Sequence, residues 1–164
     1  MAQKPIKRNV HIVQLSKDHH FALMFCWKIR SGLKWQASPG RIKKYVAYFW
    51  QHHMQPHFTQ EETILFKPVH DAAVQRALDE HVEIKQKIND ALNAESNAAE
   101  LLLTLADMVD NHVRYEEREL FPHLEKALSD EQLESIGKQI NEQHAMELKD
   151  DFTDDFWVKP RENN

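Results

Sequence analysis

The sequence has few of the residues on which several classes of protein depend. Its single cysteine excludes an internal disulfide, and three glycines and six prolines in 164 residues argue against a loop-rich or sheet-rich fold. No stretch approaches the roughly 20 apolar residues of a membrane-spanning helix, so we expect no membrane association. The first residues, MAQKPIKRNV, are not followed by the apolar run of a secretory signal. Together these absences predict a cytoplasmic protein.

An excess of positive charge is also missing. The chain has 21 Lys and Arg against 26 Asp and Glu, a formal net charge of −5. Nucleic-acid binding relies on surfaces rich in Lys and Arg, so we expect no nucleic-acid partner. The apolar fraction of 41% and the charged fraction of 29% are ordinary for a globular domain. The unusual number is eleven histidines.

The histidines follow a pattern that occurs twice. Residues 57–66, HFTQEETILF, and residues 112–121, HVRYEERELF, share the form H-x-x-x-E-E-x-x-L-F. A histidine and a glutamate four residues apart lie on the same helix face, about 6 Å apart along the axis. An acid–histidine pair also precedes each copy, at Asp18-His19 and at Glu80-His81. The order indicates an internal duplication of a two-helix unit.

Apolar residues recur at helical spacing along most of the chain. They predict four main helices at about 15–33, 39–68, 71–92 and 98–122, with Pro122 bending or ending the fourth. A capping box at Ser129 and Gln132 predicts a fifth helix to about residue 148. We therefore expect one domain over residues 1–149. Residues 150–164 form an acidic tail, in which the aromatic residues pack onto the domain or a partner protein and the charges stay solvated.

Each of the four main helices carries a histidine or glutamate in its apolar stripe, where a core residue belongs. The six are His19, His57, Glu61, His81, His112 and Glu116. Burying such groups without partners costs several kcal/mol, and two buried carboxylates repel one another. A pair of metal ions removes the conflict, since each carboxylate can bridge both ions, as in di-iron and di-manganese bundles. Nitrogen and oxygen ligands without a thiolate favour iron or manganese over a structural zinc.

These motifs resemble hemerythrin-like domains, the HHE cation-binding family. The resemblance covers about residues 10–128 and rests on DHHFAL, HFTQEETILF, DEHVEI and HVRYEERELF. It implies an all-α fold, an antiparallel up-down four-helix bundle, to which the predicted fifth helix adds a C-terminal helix. It also implies a carboxylate-bridged di-iron centre with an oxo or hydroxo bridge, for which manganese or zinc can substitute. His19 and His57 would bind one iron, His81 and His112 the other, and Glu61 and Glu116 would bridge them.

The chain departs from the oxygen-carrying members of that family. Lys85 stands where they have a fifth histidine, and the four-histidine, two-glutamate set is closer to iron–sulfur-repair proteins and sensor domains. We expect a metal- and small-ligand-binding protein that takes O2, peroxide or NO in stress sensing, storage or detoxification. One alternative is an enzyme-like protein for iron–sulfur repair, iron release, ferroxidase chemistry, or peroxide or NO reduction. The other is a regulatory interaction module that contacts a protein partner through its tail.

Other residues near the predicted ligands leave alternatives open. His53, one turn before His57, is either an extra ligand or a buried histidine satisfied by hydrogen bonds. For His20 and His144, packing or surface positions are favoured over metal ligation. The acidic neighbours of the predicted ligands are interpreted as solvated charges or as groups that orient the histidines: Asp18, Glu62, Glu80 and Glu117.

Overall fold

A computed structural model describes residues 7–143 and 149–162, and the regular structure in these ranges is all helical. The helices are α1 (Val13–Lys34), α2 (residues 39–65), α3 (Ala72–Asn93), α4 (residues 98–127) and α5 (Asp130–Gln143). Helices α1 to α4 form a bundle in which each helix packs on the next and α4 packs back on α1. Helix α5 packs against the last turn of α2. The predicted bundle with an additional C-terminal helix is confirmed.

Two of the bundle helices contain π-helical turns. Helix α2 consists of Pro39–Phe49, a π turn at Trp50–Met54, Gln55–Gln60 and a second π turn at Glu61–Leu65. Helix α4 consists of Ala98–Tyr115, a π turn at Glu116–Leu120 and Phe121–Ala127. Each copy of the duplicated motif therefore has a π turn that begins at its first glutamate. Such turns are rare in helices and occur often at functional sites.

Both proline-containing helices continue through the proline. Pro56 and Pro122 are each the second residue of an α-helical segment that follows a π turn. A proline is tolerated in the first turn of a helical segment, because its missing N–H is not needed there. The sequence predicts that Pro122 bends or ends α4. The prediction of an end is wrong, because α4 continues to Ala127.

Two apolar clusters fill the bundle on either side of its middle. One contains Phe25, Phe49, Ile84 and Val109, and the other contains Leu15, Leu65, Ala77 and Leu120. In α1, for example, Leu15 belongs to one cluster and Phe25 to the other, and the buried His19 lies between them. In each of the other three helices the predicted ligands likewise lie between residues of one cluster and residues of the other, in the opposite chain direction in α2 and α4. The predicted ligands of the duplicated motifs are thus enclosed between two apolar layers.

The C-terminal segment packs against α1 and α2. Phe156 is buried so closely against Gly32 that a Cβ at this glycine would lie 2.5 Å from its ring, and Phe152 contacts Tyr45. Asp150 is predicted to be solvated, but its side chain is only 7% exposed and accepts a 2.8 Å hydrogen bond from Lys28 Nζ. The packing of the aromatic residues onto the domain is confirmed. Contact of this segment with a partner, and a domain boundary at residue 149, stay predictions.

Candidate metal centre

The six residues predicted from the stripes converge in the middle of the bundle. They form two groups of four, in each of which one donor atom per residue lies within 4.8 Å of the other three. The first group is His19, His57, Glu61 and Glu116, and the second is Glu61, His81, His112 and Glu116. Both glutamates belong to both groups, so the arrangement has the connectivity expected of two ion positions with shared carboxylates.

The two shared glutamates are fully buried. Oε1 of Glu61 lies 3.0 Å from His57 Nε2 and 3.3 Å from His81 Nε2. Glu116 lies 2.7 Å from His112 Nε2 through Oε1 and 3.0 Å from His19 Nε2 through Oε2. None of the four carboxylate oxygens has a well-aligned hydrogen bond with the described residues, and their near neighbours are the imidazole Nε2 atoms. Buried anionic oxygens that face imidazole nitrogens in this way indicate that a cation belongs between them.

The Nδ1 atom of each imidazole in the centre donates a hydrogen bond to a carboxylate of the preceding helix. The four pairs run from α1 to α2, α2 to α3, α3 to α4 and α4 back to α1. They are Asp18 with His57 at 3.1 Å, Glu62 with His81 at 2.9 Å, Glu80 with His112 at 2.9 Å, and Glu117 with His19 at 2.6 Å. We call these four pairs the carboxylate ring. Such partners fix the imidazole tautomer so that Nε2 is left to bind a metal.

Additional groups hold the carboxylates of the ring in place. Glu117 accepts hydrogen bonds from Ser16 Oγ and from the buried guanidinium of Arg8, which also binds Glu125. Burial of Glu117 would raise the pKa of its carboxyl, but its bonds with His19, Ser16 and Arg8 outweigh burial and lower that pKa to about 2. The carboxylate next to His19 therefore stays ionised over the physiological range.

Lys85, which stands where oxygen carriers have a fifth histidine, takes part in the same support. Its side chain is 43% exposed, and its Nζ lies 3.7 Å from Oε1 of Glu62. Lys85 therefore contributes to the ring by facing the carboxylate that orients His81. Helix α3 supplies one imidazole, His81, to the centre.

The shared glutamates raise the pKa values of the imidazoles. Burial alone would lower the pKa of His57, His81 and His112, but the neighbouring carboxylates outweigh it and raise these pKa values to about 10, 11 and 9. In the absence of a cation, protons on the imidazoles thus balance the charge of Glu61 and Glu116. Metal ions bind deprotonated imidazole and would take over this role.

The imidazoles of the first group show the same need for a cation. Nε2 of His19 and Nε2 of His57 lie 3.2 Å apart, while both Nδ1 atoms face carboxylates. When both rings are neutral, this arrangement leaves two lone pairs facing each other, which a cation between them would relieve. Each group offers two nitrogen and two oxygen ligands, a set that suits iron or manganese. The residues therefore fit the metal pair that the sequence predicts.

The other histidines among the described residues lie outside the two groups. His20 is exposed, and His144 falls outside the described residues. His53 is buried but belongs to neither four-residue group, which disfavours its interpretation as an extra ligand. Sequence reasoning missed Arg8 and Ser16 and left the roles of the four acids undecided. The available signal was an acidic residue directly next to a predicted ligand in all four helices: Asp18, Glu62, Glu80 and Glu117.

A four-helix bundle that buries four imidazoles and two shared carboxylates defines a metal-binding bundle protein. The model of one protein family, the hemerythrin HHE cation binding domain, matches residues 11–124, and the chain belongs to this family. Membership indicates that it binds a metal cation and a small ligand. No curated protein sequence and no solved structure gives a significant match. Among the described residues, no helix has both the length and the apolar character needed to cross a bilayer.

Proposed function

We propose that this protein is a non-haem di-iron protein that binds O2, peroxide or NO. One iron would be held by His19 and His57 and the other by His81 and His112, with Glu61 and Glu116 bridging. The observation that carries the proposal is the sharing of both buried glutamates by the two groups of four. Iron bound in this way supplies redox chemistry toward small oxygen and nitrogen ligands.

A small cavity beside the centre supports the size of the proposed ligand. It has a volume of about 30 Å³ and is lined by His19, His57 and the rings of Phe21, Phe49 and Phe58. One water molecule needs roughly 10–15 Å³ of such space, whereas pockets for organic ligands are on the order of 300 Å³ or larger. The cavity therefore suits a molecule of two or three non-hydrogen atoms. Most of its lining surface is apolar.

The proposed cellular role is sensing, storage or detoxification of these molecules under oxidative or nitrosative stress in the cytoplasm. The test begins with iron, manganese and zinc content after purification without chelators, for which we expect about two ions per chain, mainly iron. Anaerobic reduction followed by exposure to O2 and to NO should then change the visible spectrum. Less than one iron or manganese per chain would refute the proposal.

An enzyme-like di-iron protein is the second candidate, and one observation favours it. Residue 85 of α3 is a lysine, and its Nζ lies 3.7 Å from Glu62. Helix α3 therefore supplies a single imidazole, and neither group has a third histidine. Ions with only two imidazoles and two shared carboxylates retain open positions for reaction. Stopped-flow mixing of the reduced protein with O2 separates the candidates. A reversible spectral change supports a binding protein, whereas rapid irreversible oxidation with turnover of peroxide or NO supports an enzyme.

A further inference from the structure

One buried histidine next to the centre has no role in it. His53 is 6% exposed, lines the 30 Å³ cavity, and stacks on Phe49 with ring centres 4.9 Å apart. Its Nε2 is buried and has no hydrogen-bond partner among the described residues. Leaving such a nitrogen unpaired is costly in an apolar setting. A hydrogen-bond partner for this Nε2 would therefore stabilise the protein.

The C-terminal segment determines which form of the His53 ring is present. Burial lowers the pKa of His53 overall, although the backbone of Lys149 lies close enough to this ring to raise that pKa as a hydrogen-bond acceptor, and Nε2 is the nitrogen without a partner. Because Nε2 lacks a partner, we assign Nδ1 as the nitrogen that faces the Lys149 carbonyl and holds the proton. In a neutral imidazole whose Nδ1 holds the proton, Nε2 carries a lone pair and acts as an acceptor. The partner that His53 needs is thus a hydrogen-bond donor.

The duplicated metal motif does not require this histidine. The position four residues before His57 is His53, but the position four residues before His112 is Met108. His53 is also absent from both groups of donor atoms. The histidine is thus a polar residue on one side of the centre, the side on which the cavity lies.

We propose that His53 accepts a hydrogen bond from a small protic ligand in this cavity, and that it thereby favours hydrogen peroxide over aprotic molecules such as NO. This inference rests on the proposed function and names the ligand class of the same site. In the resting protein a water molecule fills the role of donor. A peroxide O–H replaces that water without loss of the hydrogen bond, whereas NO leaves Nε2 unpaired. Sites with a buried polar group discriminate in this way against molecules that lack the matching group.

The test compares two ligands on one protein. Anaerobic ferrous protein is mixed with hydrogen peroxide and, separately, with NO, and both second-order rate constants are measured. In the peroxide reaction, two ferrous ions supply the two electrons that break the O–O bond, and two protons from solvent complete two water molecules. In His53→Leu the ratio of the peroxide constant to the NO constant should fall roughly 3- to 10-fold, the effect of one hydrogen bond. His53→Gln, whose amide oxygen accepts, should retain most of the ratio.

His52→Gln is the matched control, because His52 is the exposed neighbour in the same π turn. It should leave the ratio unchanged. A packing defect in His53→Leu would move both rate constants together, and that result, or an unchanged ratio, overturns the inference. Iron content is measured first for each variant, so a wild-type protein without iron refutes the proposed function separately.

A second readout needs no iron chemistry. In zinc-loaded protein, long-range proton–nitrogen NMR spectra should show an unprotonated Nε2 on His53 and a cross-peak between its ring proton and a bound water. The water cross-peak should be absent in His53→Leu. A protonated Nε2 in the wild-type protein would overturn the inference, because the ring would then be a donor.

Discussion

Glu117 accepts a 2.6 Å hydrogen bond from Nδ1 of His19, although 98 positions separate the two residues. The equivalent residues of the other half, Glu62 and His81, form the same bond at 2.9 Å. The duplication seen in the sequence therefore includes the carboxylates that bind the histidine Nδ1 atoms as well as the predicted ligands. This pairing determines which substitutions should affect metal binding without removing a ligand.

Glu117→Ala should weaken iron binding by about 10- to 100-fold, because loss of a carboxylate that orients a ligating histidine typically has an effect of this size. The affinity is measured by competition with a chelator of known strength. Glu119→Ala is the control, since Glu119 lies in the same π turn but is 67% exposed and lies 3.7 Å from Arg76. Equal losses in the two variants would contradict a specific role of Glu117.

Removal of a shared ligand and of an unshared ligand should give different metal contents. Glu61 belongs to both groups, whereas His57 belongs to one. We expect His57→Ala to retain about one ion per chain and Glu61→Ala to lose both, as carboxylate-bridged pairs require. Metal analysis after gel filtration gives the stoichiometry, and circular dichroism verifies that both variants are folded. The same content in both variants would argue against a bridging role.

The metal-free protein should lose stability as the pH rises above neutrality. The pKa values of His57, His81 and His112 are raised from 6.5 to about 10, 11 and 9 in the folded chain. Their contribution to stability is fully present below about pH 6.5 and disappears as the pH rises through 9 to 11. Urea unfolding of chelator-treated protein between pH 6 and 10 measures this fall. In iron-loaded protein the metal replaces these protons, so the fall should be smaller.

Metal binding should release protons for the same reason. At pH 8 the same three imidazoles are protonated in the metal-free protein and must become neutral to bind an ion. Loading in weakly buffered solution should therefore release up to three protons per chain, as measured in a pH-stat. Loading without any proton release would show that the imidazoles were already neutral. His123→Gln, an exposed histidine paired with Asp71, should not change the number.

Phe156→Ala should lower the free energy of unfolding by about 3–5 kcal/mol, the usual cost of removing a buried phenylalanine side chain. Phe156 is 2% exposed, although it belongs to the C-terminal segment. Val158→Ala is the control, because Val158 is 53% exposed and should change stability by less than about 0.5 kcal/mol. Urea unfolding of metal-free protein measures both. A negligible effect of Phe156→Ala would show that the segment is dispensable for the fold.

The bundle was predictable from the sequence because its signals are local. The caps of α3 and α5 follow directly from Asp71, whose Oδ1 accepts from the Val74 N–H at 3.0 Å, and from the reciprocal bonds of Ser129 and Gln132. The position of the six candidate ligands was also predictable, since a polar residue in an apolar stripe is visible at helical spacing. These features need only a few consecutive residues to be recognised.

The supports of the centre were less predictable because they join distant parts of the chain. Arg8 reaches Glu117 across 109 positions, and Ser16, which lies inside α1, donates to Glu117 across 101 positions. The π turns also change the faces on which the residues after Glu61 and Glu116 lie. Simple 3.6-residue periodicity therefore cannot assign Glu62 and Glu117 to the ring. The π turn at Glu116–Leu120 also places Pro122 in the first turn of the following α-helical segment, where its missing N–H is tolerated and α4 can continue.

The carboxylate ring divides between the two helix pairs of the bundle, α1 with α2 and α3 with α4. It is built from two kinds of contact: one within a helix pair, as in Asp18 with His57, and one between pairs, as in Glu62 with His81. The second pair repeats both kinds with Glu80 and Glu117. Two identical copies of a single helix pair would therefore contain every group needed to close the ring. A half-length chain with one such helix pair would therefore need only self-association, and no additional ligand, to assemble the same set of histidine–carboxylate pairs.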